Sequence, residues 1–270
     1  MNINRRKLGA VFAGALLLSQ ATPVFAASAL KQFAPAGSGK ANHSALDAIL
    51  QQYVSVDGSG YASVNYGALT SQRSAIDDYV ASLIAIDPRQ LSRAEAHAYW
   101  INFYNAKTLS IMLENWPVKS IRDINLGGGG FFGKGPWSKK LMVVAETELS
   151  LDDIEHRIIR PLFNDPLSHY ALNCASFSCP NLMPRAYTAK NLKSQMRESA
   201  TLYINHPRGI SIKDGEITAS KIFSWYAGDF GGTAKLKSHW LQFATPELAV
   251  QIEAASIGGY DYDWNANVAR

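Results

Sequence analysis

The feature that most constrains the fold of this chain is a long helix that is apolar on every side. Ser92 and Glu95 form a capping box, in which two side chains satisfy backbone N–H groups at the start of a helix. The predicted helix runs from Ser92 to about residue 115, where a Trp-Pro pair stops it. Apolar residues occupy all faces over residues 98–113, which indicates that this helix is central and buried.

Shorter helices and a few strands surround this helix in the predicted fold. Sequence patterns predict helices over residues 43–54, 74–86, 151–160 and 188–205, strands over 141–145 and 169–173, a hairpin over 210–218 that turns at Asp214-Gly215, and two short helices before residue 261. This irregular order favours an α+β fold over a doubly wound sheet. We predict a single, mostly helical domain with a small sheet over residues 43–265, and a cysteine-hydrolase-like architecture is one form that it could take.

Residues 1–26 have the pattern of a cleavable export signal. Three basic residues at positions 5–7 precede the apolar residues 8–18, and small residues lead up to Ala26. The apolar stretch is shorter than the roughly 20 residues that span a bilayer as a helix. We predict cleavage after Ala26, a flexible leader over residues 27–42, and a periplasmic or secreted protein without stable membrane insertion.

The charge of the chain points to no polyanionic partner. The sequence has 26 Lys and Arg residues and 22 Asp and Glu residues. Residues 1–26 contain three of the basic residues and no acidic one, so the predicted mature chain carries 23 basic and 22 acidic residues, near +1. We therefore predict no nucleic acid partner, and a substrate or protein of the cell envelope that the sequence does not identify.

A glycine-rich segment over residues 128–135 (GGGFFGKG) comes close to a phosphate-binding loop. No Ser or Thr follows Lys134 to hold magnesium, and Pro136 interrupts the helix that should meet a phosphate. We interpret the segment as a flexible loop beside a cleft and predict no cofactor.

Both cysteines lie in residues 169–180 (HYALNCASFSCP). In an exported protein, two cysteines most simply form a disulfide, here Cys174–Cys179. Alternatively, Cys174 is a thiolate nucleophile and His169 its general base. An offset of five residues puts the two side chains on opposite faces of a straight strand, so this pair requires the chain to turn at Cys174. Such a turn would also bring backbone N–H groups near the sulfur.

Other histidines and a metal site are weaker candidates. His156 and His239 are alternative bases, and their spacing does not favour either. A zinc site built from His169, Cys174 and Cys179 would lack a fourth ligand and the usual ligand spacing. We therefore predict no bound metal.

Two asparagines lie three residues apart within the central helix. Asn102 and Asn105 share one face of that helix, and a buried amide requires hydrogen-bond partners. The interpretation that we favour is that they pin neighbouring loops. The alternative makes one of them an orienting or oxyanion-binding group of the thiol site.

Two further groups are candidate binding residues. Glu155 lies on a predicted helix without the paired histidines of a zinc protease, so an ion pair with Arg160 is the favoured interpretation. Trp225, Tyr226 and Asp229 belong to an aromatic cluster, which favours core packing over a wall that stacks against substrate.

Five blocks of this chain, in order, resemble the family known as domain of unknown function 547. They are residues 99–106 (YWINFYNA), 151–160 (LDDIEHRIIR), 169–180, 223–230 (FSWYAGDF) and 262–264 (YDW). The resemblance covers nearly all of residues 43–265 and implies a single domain, but no particular reaction. It draws attention to Asn102, Asn105, Glu155, His169, Cys174, Cys179 and Asp229.

Two functions follow from these residues. The first is a thiol-dependent hydrolase or acyl transferase on amide or peptide-like bonds, with Cys174 as nucleophile, His169 as general base and an asparagine of the central helix as orienting group. The second is a non-catalytic binding or assembly protein of the envelope. In that protein, Cys174–Cys179 is a structural disulfide and the aromatic residues around Trp225 form a recognition surface.

Overall fold

The structure, a computed structural model, describes residues 32–127 and 133–269. The predicted export signal, the first part of the predicted leader and much of the glycine-rich segment lie outside these residues. Helices dominate the described chain and are accompanied by three small sheets, so the predicted α+β class is confirmed.

The elements follow one another in an irregular order. The α-helices are α1 (Ser44–Tyr53), α2 (Tyr66–Leu69), α3 (Arg73–Ile84), α4 (Arg93–Glu114), α5 (Arg160–Phe163), α6 (Leu192–Ile204), α7 (Ile222–Trp225), α8 (Leu236–Trp240) and α9 (Pro246–Ala254). The strands are β1 (Val54–Val56), β2 (Ala62–Val64), β3 (Met142–Val144), β4 (Thr147–Leu149), β5 (Ile210–Lys213), β6 (Glu216–Ser220) and β7 (Ser256–Asp261).

Helix α4 is the buried centre of the domain, as its composition predicts. The Ser92 side chain accepts a hydrogen bond from the Glu95 N–H, so the predicted cap is present. Trp100 and Phe103 are fully buried, and Trp100 meets the ring of Phe33 edge to face. Burial of each such side chain stabilises the fold by about 2 kcal/mol, which favours a helix without a solvent face.

The segment before α1 packs against the domain. Phe33 is buried, and the N–H groups of Gly37 and Gly39 donate to carbonyl oxygens of residues 89–91. A Cβ atom at Gly37 would lie 2.0 Å from the Gln90 carbonyl oxygen, so only glycine allows this approach. Residues 33–42, which we expected to belong to a flexible leader, therefore make specific contacts.

The strand predicted over residues 169–173 is wrong. Residues Pro166–Tyr170 form a 3₁₀ helix, and the Asp165 side chain caps it by accepting a hydrogen bond from the Leu167 N–H. Asp-Pro at the start of a helix is a recognised capping pattern, because proline needs no partner for an N–H group there. The local turn chemistry therefore overrides the apolar pattern.

The segment predicted as a helix over residues 151–160 is helical, but most of it is not an α-helix. Residues Asp153–Ile159 form a π-helix, in which the Arg160 N–H donates to the Glu155 carbonyl oxygen five residues earlier. One turn of π-helix changes the direction in which the following side chains project, and such turns are frequent at functional sites. Helix α5 follows directly.

The sheets are small and lie around the helices. Strands β1 and β2 pair antiparallel, as do β3 and β4, and the third sheet has the order β5-β6-β7. The β5–β6 hairpin turns at Asp214 and Gly215, both at positive φ, as predicted. Strand β7 adds parallel to β6, a pairing that we did not predict. Among the described helices, none is both long and apolar enough to cross a bilayer.

Candidate functional site

The sequence turns sharply at Cys174. Ala175 has φ of 61°, in the left-handed region that is rare for residues other than glycine. The Asn173 side chain stabilises this turn, because its Oδ1 accepts from the Ala175 N–H at 3.0 Å and its Nδ2 donates to the Pro180 carbonyl oxygen at 2.7 Å. The turn at Cys174 that a functional thiol requires is therefore present.

The C-terminal segment pairs with this turn and brings Tyr262 to the sulfur. Ser176 forms an antiparallel bridge with Ala266, and the Ser178 N–H donates to the Asp263 carbonyl oxygen. The Tyr262 hydroxyl lies 3.2 Å from Cys174 Sγ and 2.9 Å from Ser176 Oγ. Ser176 Oγ itself lies 3.2 Å from the same sulfur.

Both cysteines are free thiols in the structure, so the alternative disulfide is not formed. The Cys174 N–H donates to Cys179 Sγ at 2.9 Å, which places the second sulfur under the same turn. Cys179 Sγ also lies 3.6 Å from the Leu172 carbonyl oxygen, to which its S–H donates.

The two sulfurs differ in their tendency to ionise. Burial raises the pKa of Cys174, but its side-chain interactions with Cys179, Ser176 and Tyr262 outweigh burial, and the pKa is lowered overall. Burial and the neighbouring Cys174 raise the pKa of Cys179 well above its usual value. Cys174 is therefore the thiol of the pair that ionises first, and Cys179 stays protonated.

A small cavity adjoins the Cys174 sulfur. Its walls are formed by Tyr104, Glu155, His169, Leu172, Cys174, Cys179, Pro180, Ile222, Trp225, Tyr226 and Tyr262. The centre of a water molecule can move within about 20 Å³ of it, which is room for about one water molecule. Cys174, His169 and Glu155 are each only about 5% exposed. The three predicted site residues therefore line one small cavity.

His169 is oriented by two carboxylates. Its Nε2 lies 2.8 Å from Asp229 Oδ2, and its Nδ1 lies 3.9 Å from Glu155 Oε1. The imidazole stacks on the Tyr226 ring, with 4.2 Å between the ring centres. These contacts fix the plane of the ring. In the described chain, the hydrogen bond of His169 is to Asp229 and not to Cys174.

Arg160 completes the support of this histidine. Its Nε and Nη2 donate to the two carboxylate oxygens of Asp229, at 2.6 and 2.9 Å. Burial raises the pKa of Asp229, but the hydrogen bonds from His169 and Arg160 outweigh it and hold the pKa well below the usual range. Asp229 is therefore ionised, and it is also the partner of Arg160, in place of the predicted Glu155.

Glu155 faces the cavity from the π-helix. Burial together with the negative charge of Glu155 raises the pKa of Tyr226 well above its usual value. Tyr226 thus interacts with two candidate residues, since its ring also stacks on His169. Tyr226, a predicted binding residue, lines the cavity together with Trp225.

Each of the two asparagines of α4 forms hydrogen bonds to backbone groups through both the oxygen and the nitrogen of its side-chain amide. Asn102 bonds the N–H and the carbonyl oxygen of Tyr187, at 3.0 and 2.8 Å. Asn105 donates to the Ala171 carbonyl oxygen and accepts from the Asn173 N–H, both at 2.8 Å. They pin neighbouring loops, which is the interpretation that we favoured. Neither lines the cavity.

The alternative bases lie outside the cavity. His239 bonds the Tyr170 hydroxyl at 2.8 Å, and burial lowers its pKa to about 4. His156 lies beside Arg160 and Asp152, with its ring centre 6.0 Å from that of Tyr226, and it does not line the cavity. Within residues 32–127 and 133–269, no three His, Cys, Asp or Glu side chains are grouped so as to hold a metal ion.

Sequence reasoning missed Tyr262 and Ser176 as neighbours of the sulfur. Tyr262 belongs to the last block that resembles the family, and Ser176 to the cysteine block, but neither residue type signals thiol chemistry. Their contacts join positions 86 and 88 residues apart. No local pattern specifies such contacts.

Comparisons with known proteins identify a family but not an activity. The family described as "Protein of unknown function, DUF547" matches over residues 88–204. Neither curated proteins nor solved structures give a match, so the cysteine-hydrolase-like architecture is not shown. The matched segment contains Cys174, His169 and Glu155, whereas Asp229 and Tyr262 follow it. Residues 88–204 of this chain therefore match the DUF547 family, and the predicted resemblance is confirmed.

Proposed function

We propose that this chain is a thiol-dependent hydrolase or acyl transferase that acts on amide or peptide-like bonds, with Cys174 as the nucleophile. One observation carries the proposal. The Cys174 sulfur lies within hydrogen-bond distance of two hydroxyls at a left-handed turn and adjoins the same small cavity as His169 and Glu155. A thiol whose pKa is lowered, beside acid–base groups in a small cavity, is the arrangement that nucleophilic catalysis requires.

The donors around the sulfur support an ionised nucleophile. The hydroxyls of Ser176 and Tyr262 both lie 3.2 Å from Cys174 Sγ. A thiolate gains from each donor because charge-assisted hydrogen bonds are stronger than neutral ones. These donors favour the thiolate form of Cys174, which suits a site where His169 bonds Asp229.

The reaction proceeds in two steps. The thiolate attacks the carbonyl carbon, the bond to the leaving group breaks, and the leaving group takes a proton as an S-acyl Cys174 forms. Water or an amine then attacks the thioester, loses a proton, and releases the acyl product and the thiolate. His169, oriented by Asp229, and Glu155 line the cavity and are the groups that we assign to these proton transfers.

The size of the cavity determines which probes should be used. Because the cavity has room for about one water molecule, it admits only a small acyl group as it stands. A larger acyl group would require the wall formed by Trp225 and Tyr262 to move. Small acetyl donors are therefore the first test. 4-Nitrophenyl acetate reports the first step as release of 4-nitrophenolate and leaves an acetyl group on the sulfur.

The chain has two cysteines, so single variants separate their roles. We expect wild type and C179A to release a burst of about one 4-nitrophenolate per protein molecule and to carry one acetyl group on Cys174 by peptide mass spectrometry. C174A should give neither. Acetylation confined to lysines, with no difference between C174A and C179A, would contradict the proposal.

The same samples test the alternative of an envelope binding protein. If the exported protein contains a Cys174–Cys179 disulfide, intact mass rises by two hydrogens on reduction, and no thiol reacts before a reductant is added. That outcome would favour a structural role of the cysteines and a recognition surface around Trp225.

We also propose that the protein is exported and acts in the periplasm, since residues 1–26 have the pattern of a signal peptide. Expression of the full chain in a Gram-negative host should give a periplasmic protein that begins at Ala27. An intact Met1 on protein recovered from the cytoplasm would contradict this.

A further inference from the structure

Arg208 is a buried cation without a carboxylate partner. It is 8% exposed, and within the part of the chain that the structure describes no Asp or Glu oxygen lies within ion-pair distance of it. Its hydrogen bonds go to the Phe177 carbonyl oxygen, at 3.1 Å, and to Asn181 Oδ1. Its Nε is buried without a partner. A buried charge of this kind destabilises the fold unless something compensates it.

Aromatic rings compensate part of that charge. The guanidinium lies 4.7 Å from the centre of the Tyr61 ring and 5.3 Å from that of Tyr203. Each such cation–π contact stabilises the buried guanidinium. Burial lowers the pKa of Arg208, and negative charge on Tyr203, Tyr61 or Cys179 opposes that effect. Arg208 and Cys179 are therefore within electrostatic range of each other.

The contacts of Arg208 lie on both sides of Cys179. Phe177 and Asn181 are two residues before and two residues after it. Tyr203, whose ring contacts the guanidinium, donates its hydroxyl to the Ser178 carbonyl oxygen at 2.6 Å. One arginine and one tyrosine thus fix the loop that follows Cys174.

We infer that Arg208 is a positioning residue, which fixes the loop over residues 177–181 and thereby holds the Cys179 sulfur under the Cys174 turn. This inference rests on the proposed thiol chemistry of Cys174. It adds a group that acts through the loop, without contact with a substrate.

Other titratable groups face Arg208 and the two sulfurs. His206, Asp261 and Asp263 line a second cavity together with Arg208, and burial, aided by the charge of Arg208, lowers the pKa of His206 to about 4. The titratable groups that line the first cavity or interact with either sulfur are Tyr66, Tyr104, Glu155, His169, Cys179, Tyr203, Tyr226 and Tyr262. Burial raises the pKa of each of these tyrosines, so they are neutral near pH 7.

The test is the pH dependence of Cys174 alkylation by iodoacetamide, measured by peptide mass spectrometry on folded protein. In R208Q, we expect the midpoint of the rate profile to rise by about 0.7 pH unit, because the loop no longer holds Cys179, whose interaction with Cys174 lowers the pKa of Cys174. R208K keeps a cation but loses the paired bonds to the loop, so its midpoint should rise as well. R197Q is the matched control, since Arg197 lies over the Phe243 ring, 5.0 Å from its centre, and away from the cysteines.

An unchanged midpoint in folded R208Q would overturn the inference. If R208Q does not fold, R208K decides, because an unchanged midpoint there would show that the loop contacts do not matter. The assay needs no turnover, so it separates this inference from the proposed function. If the alkylation midpoint of wild-type Cys174 is not below the ordinary pKa of a thiol, the proposed function is contradicted. If the wild-type midpoint is below that pKa and R208Q leaves it unchanged, only the role of Arg208 is contradicted.

Discussion

His169 Nε2 and Asp229 Oδ2 lie 2.8 Å apart although the two residues are 60 positions apart in the sequence. The bond joins the 3₁₀ helix before the cysteine turn to the loop after α7, and Arg160 clamps the same carboxylate. It fixes the orientation of the imidazole beside the cavity. The ionised state of Asp229 is therefore coupled to folding.

Replacement of Asp229 should make stability less sensitive to acid. Because the folded pKa of Asp229 is below that of the unfolded chain, its stabilisation is present above about pH 4 and is lost as the pH falls through the folded pKa. We expect D229N to be less stable by about 2 kcal/mol at pH 7. The gap from wild type should shrink below about pH 4. Urea unfolding from pH 2 to 8 measures both effects.

A control for D229N is D261N, which removes an exposed carboxylate at the end of β7. It should lie within about 0.5 kcal/mol of wild type at all pH values. A gap between wild type and D229N that is the same at pH 2 and pH 7 would contradict the assigned ion pair.

Removal of the Tyr262 hydroxyl should make Cys174 harder to ionise. Y262F deletes the donor 3.2 Å from the sulfur and leaves the ring in place. One such hydrogen bond is worth about 1 kcal/mol, so the alkylation midpoint of Cys174 should rise by about 0.7 pH unit. Y260F, which alters a half-buried tyrosine two residues away, should leave the midpoint unchanged. Equal midpoints for the two variants would exclude Tyr262 as a donor to the thiolate.

The two asparagines of α4 provide a matched pair. N102A and N105A each remove two hydrogen bonds to buried backbone groups, so each should destabilise the fold by about 2 kcal/mol. Asn105 bonds the segment that leads into Cys174, whereas Asn102 bonds Tyr187. We therefore expect N105A alone to change the rate of Cys174 alkylation. Equal effects of both variants on that rate would show that Asn105 has no specific role at the turn.

The strained residue of the cysteine turn should tolerate glycine but not a branched side chain. Ala175 lies at φ of 61° and is fully buried. A175G relieves the left-handed strain of about 1 kcal/mol, so its thermal unfolding should occur at or above the wild-type temperature. A175V should unfold at a clearly lower temperature, because valine resists positive φ. A175G that is much less stable than wild type would argue against this turn geometry.

Elements that depend on local chemistry could be predicted from the sequence. The capping box at Ser92 begins α4, and Asp214-Gly215 turns the β5–β6 hairpin, because both signals act within a few residues. The 3₁₀ helix before the cysteines also has a local signal, Asp165-Pro166, which the apolar residues after it obscured. The π-helix around Glu155 has no comparable signal.

The candidate site could be predicted only in part. Cys174, His169 and Glu155 attract attention by residue type, and the structure groups them around one cavity. Tyr262 and Arg208 reach the cysteine turn from distant parts of the chain, through pairing of the C-terminal segment and packing against Tyr203. Such contacts follow from the tertiary fold, and one sequence does not specify them.

The account depends most directly on the ionisation of one sulfur atom. The decisive measurement is the rate of Cys174 alkylation in the folded wild-type protein across pH 5 to 10, with C179A and C174A measured beside it. We predict a midpoint for Cys174 below the ordinary thiol value of about 8.5, with Cys179 unmodified. A midpoint at or above that value, or no modification until the protein is unfolded or reduced, would contradict a thiolate nucleophile.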